Sequence, residues 1–271
     1  MSARIVCGVD GSREAGRAAV VAARLARDLR SRALLVHVQE EQRRSRVRLR
    51  IPRPGKRWRR RRLLKATAAE CCFPAGTHVR LTSGDPTAEL VAAAGDEDAE
   101  LLVVSTGGLG TASPVLLGGT ASALMRESPC PVVLVPPRSI PPIDTNSMRS
   151  VMCAVEGRPT DAAVLGLAAD LAARLGGELH VVTGDNTLTL EEARLHVVRL
   201  PADEALAQVA EEERVGLAVV GPPDDSRPSA GLDVPLAIAL AANGEIPLVV
   251  LAAEAELYVG SGHYELAAGA A

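Results

Sequence analysis

The feature that most limits how this chain can fold is a pattern that occurs twice. The stretch VCGVDGS at 6–12 aligns with VMCAVEGR at 151–158 at an offset of 146 residues. Later, LLVVST at 101–106 aligns with LAVVGP at 217–222 at an offset of 116. The first copy is therefore 30 residues longer than the second between its second and fourth predicted strands. An internal duplication with one insertion explains the whole chain.

Each copy alternates short β-branched runs with segments of helical periodicity. The run at 3–10 is followed by DGS, then by apolar residues at helical spacing from Ala18, then by a second run at 33–38. A β-α-β opening predicts a parallel sheet with right-handed crossovers. Further strands are predicted at 78–82, 101–105 and 131–135, with helices at 85–95 and about 119–127.

The predicted fold is α/β, with two tandem, doubly wound domains. Each domain is expected to hold a five-stranded parallel sheet with helices on both faces. The predicted boundaries are 1–140 for the first domain, 141–148 for a linker, 149–254 for the second domain and 255–271 for a tail. The fifth strands, 132–135 and 248–251, are both apolar, and pairing of the two within one chain would cover two edges that otherwise invite aggregation.

A basic segment at 43–65 lies in the first copy and has no counterpart in the second. It contains thirteen Arg or Lys residues and no acid, so the rest of the chain holds 17 basic against 33 acidic residues. The favoured interpretation is a mobile, solvated insertion beside the ligand crevice, and deletion of residues 43–62 should leave the fold intact. The alternative is a surface that docks an anionic partner: a protein, nucleic acid or a membrane face.

A glycine-rich stretch, STGGLGTASPVLLGGTAS at 105–122, follows the apolar run that ends at Val104. In a parallel sheet the ligand crevice lies at the carboxyl ends of the strands, and a helix that begins there favours an anion. No G-x-x-x-x-G-K-[ST] motif is present. The loop is therefore either a phosphate site or a tight corner between strand and helix.

Several of these stretches together resemble the universal stress protein family. They are VDGS after the first strand, LLVHV as the second, VVSTGG with LGG nine residues further on, and PCPVVLV. The resemblance covers both halves, as in a tandem two-domain member, and it implies that fifth strands pair edge to edge, here within one chain as a pseudo-dimer or across a homodimer. The family's nucleotide-binding pattern is G-x2-G-x9-G-[ST]; here Gly108 and Gly118 match its second and third glycines, Ser105 replaces the first, and Gly119 stands at the hydroxyl position.

The resemblance implies an adenine-nucleotide site in the first half, with ATP and Mg2+ as the expected ligand. Asp10 would contact the adenosine part, with a bare helix cap as the alternative, and the backbone around Val38 would face adenine. The glycines of the loop would lie against the phosphates, and Thr120 could supply the hydroxyl. The candidate residues are Gly8, Asp10, Val38, Ser105, Gly108, Gly118, Gly119 and Thr120.

The second half departs much further from this pattern. Glu156 replaces Asp10, and the offset of 116 places Asp224, Val234 and Pro235 where the first half has glycines. Carboxylates and a proline that lacks its N–H both oppose an anion. We therefore expect one functional site per chain and a degenerate second half.

The remaining residues do not indicate a strong catalyst. No nucleophile–base pair is readable, and the histidines show no metal-ligand spacing with cysteines or carboxylates; slow ATP hydrolysis stays open. No leader pattern and no apolar run near about 18 residues is present, so a cytoplasmic protein without a transmembrane segment is expected. The leading prediction is an ATP-binding stress-response signalling protein with an unknown protein partner. The alternative is an interaction module that binds no nucleotide.

Overall fold

The computed structural model describes residues 4–40, 56–107, 118–139, 147–155, 160–184, 193–197, 208–221 and 246–252. In the first half the elements are β1 (Arg4–Gly8), α1 (Arg13–Asp28), β2 (Arg32–Glu40), α2 (Lys56–Glu70), β3 (His78–Gly84), α3 (Pro86–Asp96), β4 (Ala99–Ser105), α4 (Gly119–Glu127) and β5 (Val132–Val135). A short 3-10 helix (Ser147–Arg149) precedes β6 (Val151–Val155), α5 (Asp161–Leu175), β7 (Leu179–Thr183), β8 (Arg194–Val197), β9 (Leu217–Val220) and β10 (Leu248–Val250). A helical stretch at 208–212 precedes β9.

Side-chain caps and small apolar faces define the helices of the first half. Ser12 accepts a hydrogen bond from the Ala15 N–H (3.0 Å) at the start of α1, and Asp85 accepts one from Ala88 (3.0 Å) at the start of α3. The buried face of α1 consists of alanine, valine and leucine. Alanine lets the helix backbone lie close to the sheet, which suits a chain with only 1% aromatic residues.

The ten strands of the described residues form one sheet, in the order β3-β2-β1-β4-β5-β10-β9-β6-β7-β8. Neighbouring strands are parallel within each half, and the single junction between the halves, β5 with β10, is antiparallel. Buried side chains form one core cluster on each face of the sheet, packed by α1, α2 and α5 on one side and by α3 and α4 on the other. The α/β class with a mostly parallel sheet is confirmed.

The pairing registers of the two halves reproduce both sequence offsets. Cys7 lies opposite Val103 between β1 and β4, and Cys153 lies opposite Val219 between β6 and β9. Cys7 and Cys153 are 146 residues apart in the sequence, and Val103 and Val219 are 116 residues apart. The strands aligned from the sequence thus occupy equivalent places in the two halves of the sheet.

The fifth strands pair within the chain. Leu248 lies opposite Leu134, Val249 opposite Val133, and Val250 opposite Val132. Both core clusters contain residues from both halves, so the apolar faces continue across this junction. The pairing removes two apolar strand edges from solvent, as the sequence led us to expect.

An ion pair also crosses between the halves. Arg174, in α5, donates through Nη2 to Glu100 Oε2 in β4 at 3.1 Å, and its Nη1 contacts Glu100 Oε1. The same Nη1 donates to Asp170 at 3.0 Å, one helical turn earlier. A two-pronged guanidinium–carboxylate contact fixes orientation as well as distance.

The expectation that the basic segment loops out is wrong for residues 56–65, which begin helix α2. Leu64 is 3% exposed and belongs to the core, and Ala68 and Cys71 pack beside it. These three residues have the i, i+4, i+7 spacing of a buried helical stripe, which the surrounding arginines conceal in the sequence. Residues 43–55 lie outside the described part of the chain, as do most of the predicted linker and the whole tail.

No helix in the described part of the chain is long and apolar enough to cross a membrane.

The junction between the halves can be tested at Val133 and Val249, which face each other and are fully buried. We expect Val133→Ala or Val249→Ala alone to lower the free energy of unfolding by about 2 kcal/mol, from lost apolar burial and a small cavity. The double variant should deviate from the sum of the singles by about 0.5 kcal/mol or more, because the side chains share contacts. Urea denaturation measures this.

Val197→Ala serves as the control, because Val197 is an exposed strand valine. Its free energy of unfolding should change by less than about 0.5 kcal/mol. Strict additivity of the two junction variants would contradict the observed pairing.

Candidate functional site

The place where the strand order reverses lies between β1 and β4. From β1 the chain moves outward to β2 and β3, then returns to the other side of β1 as β4. Because Cys7 pairs with Val103, both strands end at the same level, with Gly8 beside Val104. In open α/β sheets a ligand crevice forms at such a point, outside the carboxyl ends of the strands.

The turn from β1 into α1 is built around Asp10. Its Oδ1 accepts a hydrogen bond from the Ser12 N–H at 2.8 Å, and Gly11 adopts a positive φ of 89°. This side-chain-to-backbone contact closes an Asx turn directly before the helix. Asp10 is half-buried at the rim of the crevice, where it has a local structural role whether or not a ligand is bound.

Gly8 is a glycine because α3 packs against it. A Cβ at this position would lie 3.1 Å and 3.2 Å from the two terminal methyls of Leu90, and 3.2 Å from Val104 Cγ1. These distances are tighter than ordinary van der Waals contact. The structure thus accounts for Gly8 through packing alone, and the residue serves to bring β1, β4 and α3 together at the crevice.

Val38 lies in β2 just beyond the last residue that pairs with β1. Gly8 is opposite Val36, whereas Val38 is opposite Thr82 of β3. His37 Nδ1 lies 2.8 Å from the Val9 carbonyl oxygen, so the end of β2 is tied to the β1–α1 turn. The backbone around Val38 therefore lies close to the β1–α1 turn, and its contact with adenine stays a prediction.

The two ends of the glycine loop are held together by backbone hydrogen bonds. The Thr106 N–H donates to the Val135 carbonyl (3.0 Å), and the Gly118 N–H donates to the Thr106 carbonyl (2.8 Å). Ser105 Oγ donates to the Gly107 carbonyl, which turns the chain at the end of β4. Gly108 lies outside the described residues.

The N–H of Gly118 is therefore engaged within the protein, and the contact of Gly118 with phosphate stays a prediction that would not use this donor. Gly118 precedes α4 with φ −60° and ψ 147° and makes no side-chain cap. Gly119 is exposed, and a Cβ there would meet no atom within 4 Å. In any α-helix the N–H groups of the first turn have no partner within the helix, and those of Gly119 and Thr120 are the first two of α4.

The second half has its own reversal point, between β6 and β9. Helix α5 begins after Thr160, which makes no side-chain cap, and its first residue, Asp161, is buried. Burial, and then the Asp161 carboxylate, raise the pKa of the Cys153 thiol to about 12. A carboxylate in the first turn occupies the position that favours an anion. Sequence analysis missed this residue; Glu156, Asp224, Val234 and Pro235 lie outside the described part of the chain.

A second group of polar side chains, which sequence spacing did not reveal, joins β7 and β8. His180, His196 and Glu213 each place a possible ligand atom within 4.8 Å of the other two. His180 Nδ1 lies 3.1 Å from His196 Nε2, and the rings stack with centroids 5.4 Å apart. Burial lowers the pKa of His180. The Glu213 carboxylate raises this pKa, whereas His196 and Arg194 lower it further.

A signal for this group was present in the sequence. The tetrapeptide LHVV occurs at 179–182 and again at 195–198. The two strands that carry this tetrapeptide follow each other in the chain and pair in the sheet. Strands that pair can bring their histidines together. Glu213 has no such signal, since it follows the helical stretch at 208–212.

An open, mostly parallel sheet with helices on both faces and a crevice at its reversal point defines a doubly wound α/β protein of the nucleotide-binding type of architecture. Residues 1–136 match the model of the universal stress protein family. A universal stress protein of Thermus aquaticus is 32% identical over 143 residues, which are 48% of this chain and 96% of that protein. The chain belongs to the universal stress protein family.

Solved structures resemble the chain over nearly its full length. A universal stress protein of Archaeoglobus fulgidus superimposes with a TM-score of 0.68 at 15% identity, covering 92% of this chain and 97% of that one. A protein of unknown function from Pseudomonas aeruginosa gives 0.60 at 15% identity and 92% of both chains. At this identity the likeness establishes the fold.

The structural role of Asp10 can be separated from any role in binding by two substitutions. Asp10→Ala removes the acceptor for the Ser12 N–H and should lower the free energy of unfolding by about 1 kcal/mol. Asp10→Asn keeps an acceptor oxygen and should stay within about 0.5 kcal/mol of the unmodified chain. Thermal or urea unfolding measures both. Equal losses in the two variants would show that the charge, and not the Asx turn, matters.

Proposed function

We propose that the protein binds one adenine nucleotide, with ATP and Mg2+ as the expected form, at the crevice between β1 and β4. The observation that carries the proposal is the start of α4. This helix begins at the carboxyl end of β4 without a side-chain cap, and its first residue is an exposed glycine with open space around it. Such a terminus offers N–H donors and a favourable dipole to a phosphate.

Each candidate residue has its own role in this proposal. The N–H groups of Gly119 and Thr120 receive the phosphates, and Gly118 closes the loop instead of contacting them. The Asx turn holds Asp10 in place, and Asp10 contacts the adenosine part. The backbone around Val38 borders the base. Gly8 sets the depth of the crevice through its packing on Leu90. Ser105 shapes the end of β4, and Gly108 has a role only through the family resemblance.

We further propose that the chain consists of two copies of one domain, of which only the first binds nucleotide. The matching registers of the two halves support the duplication. The buried carboxylate of Asp161 at the start of α5 supports the loss of an anion site in the second copy. The second half then acts as a permanent partner for the β5 edge, and nucleotide occupancy of the first half is the signal in a stress response.

The alternative function, docking of an anionic partner, is favoured by one observation. Helix α2 buries Leu64 and exposes Arg61, Arg62 and Lys65. A rigid helix that exposes several cations can recognise an anionic surface through electrostatic attraction. The two functions are compatible, because α2 is anchored to the sheet by its apolar side.

The nucleotide proposal is tested by a charge at the start of α4. Gly119→Glu places a carboxylate where the phosphates would lie. A carboxylate at the N-terminus of a helix stabilises that helix, so the substitution should not unfold α4. We expect its Kd for ATP to rise about 10-fold or more, equivalent to about 1.4 kcal/mol, while its Kd for adenosine changes little. Gly119→Gln is the matched neutral control, with the same side-chain volume. Isothermal titration calorimetry gives affinity and stoichiometry together.

The unmodified chain should bind one ATP per molecule. Asp10→Asn should weaken ATP and adenosine by the same factor, because its proposed contact is not with phosphate. Two equivalent ATP sites, or equal ATP affinities in Gly119→Glu and Gly119→Gln, would contradict the proposed site. A preparation that binds polyanions but neither ATP nor adenosine would favour the docking function.

A further inference from the structure

The histidine pair between β7 and β8 is placed by strand register and not by chain proximity. His180 lies opposite Arg194, and Val182 lies opposite His196. Side chains of paired residues in a parallel sheet project to the same face, so the two histidines are diagonal neighbours on the face that Val182 shares with the second core cluster. Glu213 reaches the same face from the turn that leads into β9.

His180 has one nitrogen in contact with its neighbour and one without a hydrogen-bond partner. The residue is 1% exposed, its Nδ1 lies 3.1 Å from His196 Nε2, and its Nε2 is buried with no hydrogen bond. The Glu178 carboxylate is 3.9 Å from that Nε2. Histidines that bind metals commonly direct the second ring N–H at a carboxylate, which fixes the tautomer and leaves the other nitrogen free to coordinate.

The separation of the two facing nitrogens suits a shared cation. Two ligands on a tetrahedral zinc ion with ordinary Zn–N bonds of about 2.0–2.1 Å lie about 3.3 Å apart. The observed 3.1 Å is close to this value. A hydrogen bond between the rings would need the proton on one of the same two nitrogens, so the hydrogen-bonded pair and the metal-bound pair exclude each other.

The charges around the pair favour a cation. Arg194 donates to Glu178 at 2.9 Å and to Glu213 Oε2 at 3.4 Å, so one guanidinium lies between two carboxylates. With neutral imidazoles the group has a net negative charge. The Glu213 side chain is 30% exposed, so a small rotation towards the histidines is open to it, and solvent can reach the group.

We propose that His180, His196 and Glu213 bind a divalent first-row metal ion, with zinc as the best fit. Two imidazole nitrogens and one carboxylate oxygen are a ligand set typical of zinc, and water would complete a tetrahedron. The site lies in the second half, away from the crevice between β1 and β4, and does not depend on nucleotide binding. It would clamp the outer strand β8 to β7 and to the turn before β9.

The test uses the full chain, stripped of metal with a chelator and dialysed, in a Cys72→Ser background because the exposed Cys72 thiol could itself bind zinc. Zn2+ is titrated by calorimetry, and Co2+ by visible absorption as a probe of geometry. We expect one Zn2+ per chain, a Co2+ spectrum of a four- or five-coordinate site, and a rise in melting temperature with Zn2+.

His196→Asn and Glu213→Gln are the informative variants, since both side chains are partly exposed and neither is a core residue. Each should weaken Zn2+ binding by about 100-fold or more, because it removes a direct ligand. The matched controls are His78→Asn, at an exposed histidine on the other outer strand, and Glu212→Gln, at the exposed neighbour of Glu213. Both controls should keep the affinity of the background chain, and far-ultraviolet circular dichroism checks the fold.

Two results would overturn the proposal. Equal Zn2+ affinity in His196→Asn and His78→Asn would place the ion elsewhere on the chain. Absence of saturable Zn2+ binding and of Co2+ absorption in the background chain would show that the histidines form only a hydrogen bond. If His196→Asn fails to fold, Glu213→Gln is compared with Glu212→Gln instead. Equal Zn2+ affinity in these two variants would then overturn the proposal.

Discussion

The antiparallel pairing of β5 with β10 is the interaction on which the rest of the structure depends. Each strand has an apolar run whose described side chains are buried, and each would otherwise be the open edge of a parallel sheet. Because the two edges meet within one chain, both core clusters run uninterrupted through the two halves. The Arg174–Glu100 contact adds a directional link across the same junction. The protein thus solves the edge-strand problem without a second molecule.

The junction also decides how the two reversal points are oriented. Strands are parallel within a half, and the halves meet antiparallel, so the carboxyl ends of β1 and β4 lie at the opposite edge of the sheet from those of β6 and β9. The two crevices cannot share a ligand. The helix that begins beside each crevice has a different first residue. Helix α4 begins with an exposed glycine, and α5 begins with a buried aspartate. The first arrangement favours an anion and the second opposes it.

The glycines of the candidate site have different physical causes. Gly8 allows the close approach of Leu90, and Gly118 has an ordinary negative φ with its N–H bonded to Thr106. Only Gly119 among the described three is exposed with open space around it. A glycine pattern that looks uniform in sequence therefore combines a packing contact, a loop closure and an open helix terminus, and these respond differently to substitution.

The sequence by itself indicated most of the order of elements and the equivalence of strands in the two halves, because these depend on local periodicity and on the similarity between the halves. The offsets of 146 and 116 even anticipated the registers of the sheet. Tertiary structure alone decided that Leu64 anchors a helix whose flanks are arginine, that the Gly118 N–H is already bonded, and that His180, His196 and Glu213 meet. Each of these depends on which side chain or backbone group faces which in the folded chain, and that placement is not specified by local periodicity, although the repeated LHVV had marked the two histidines.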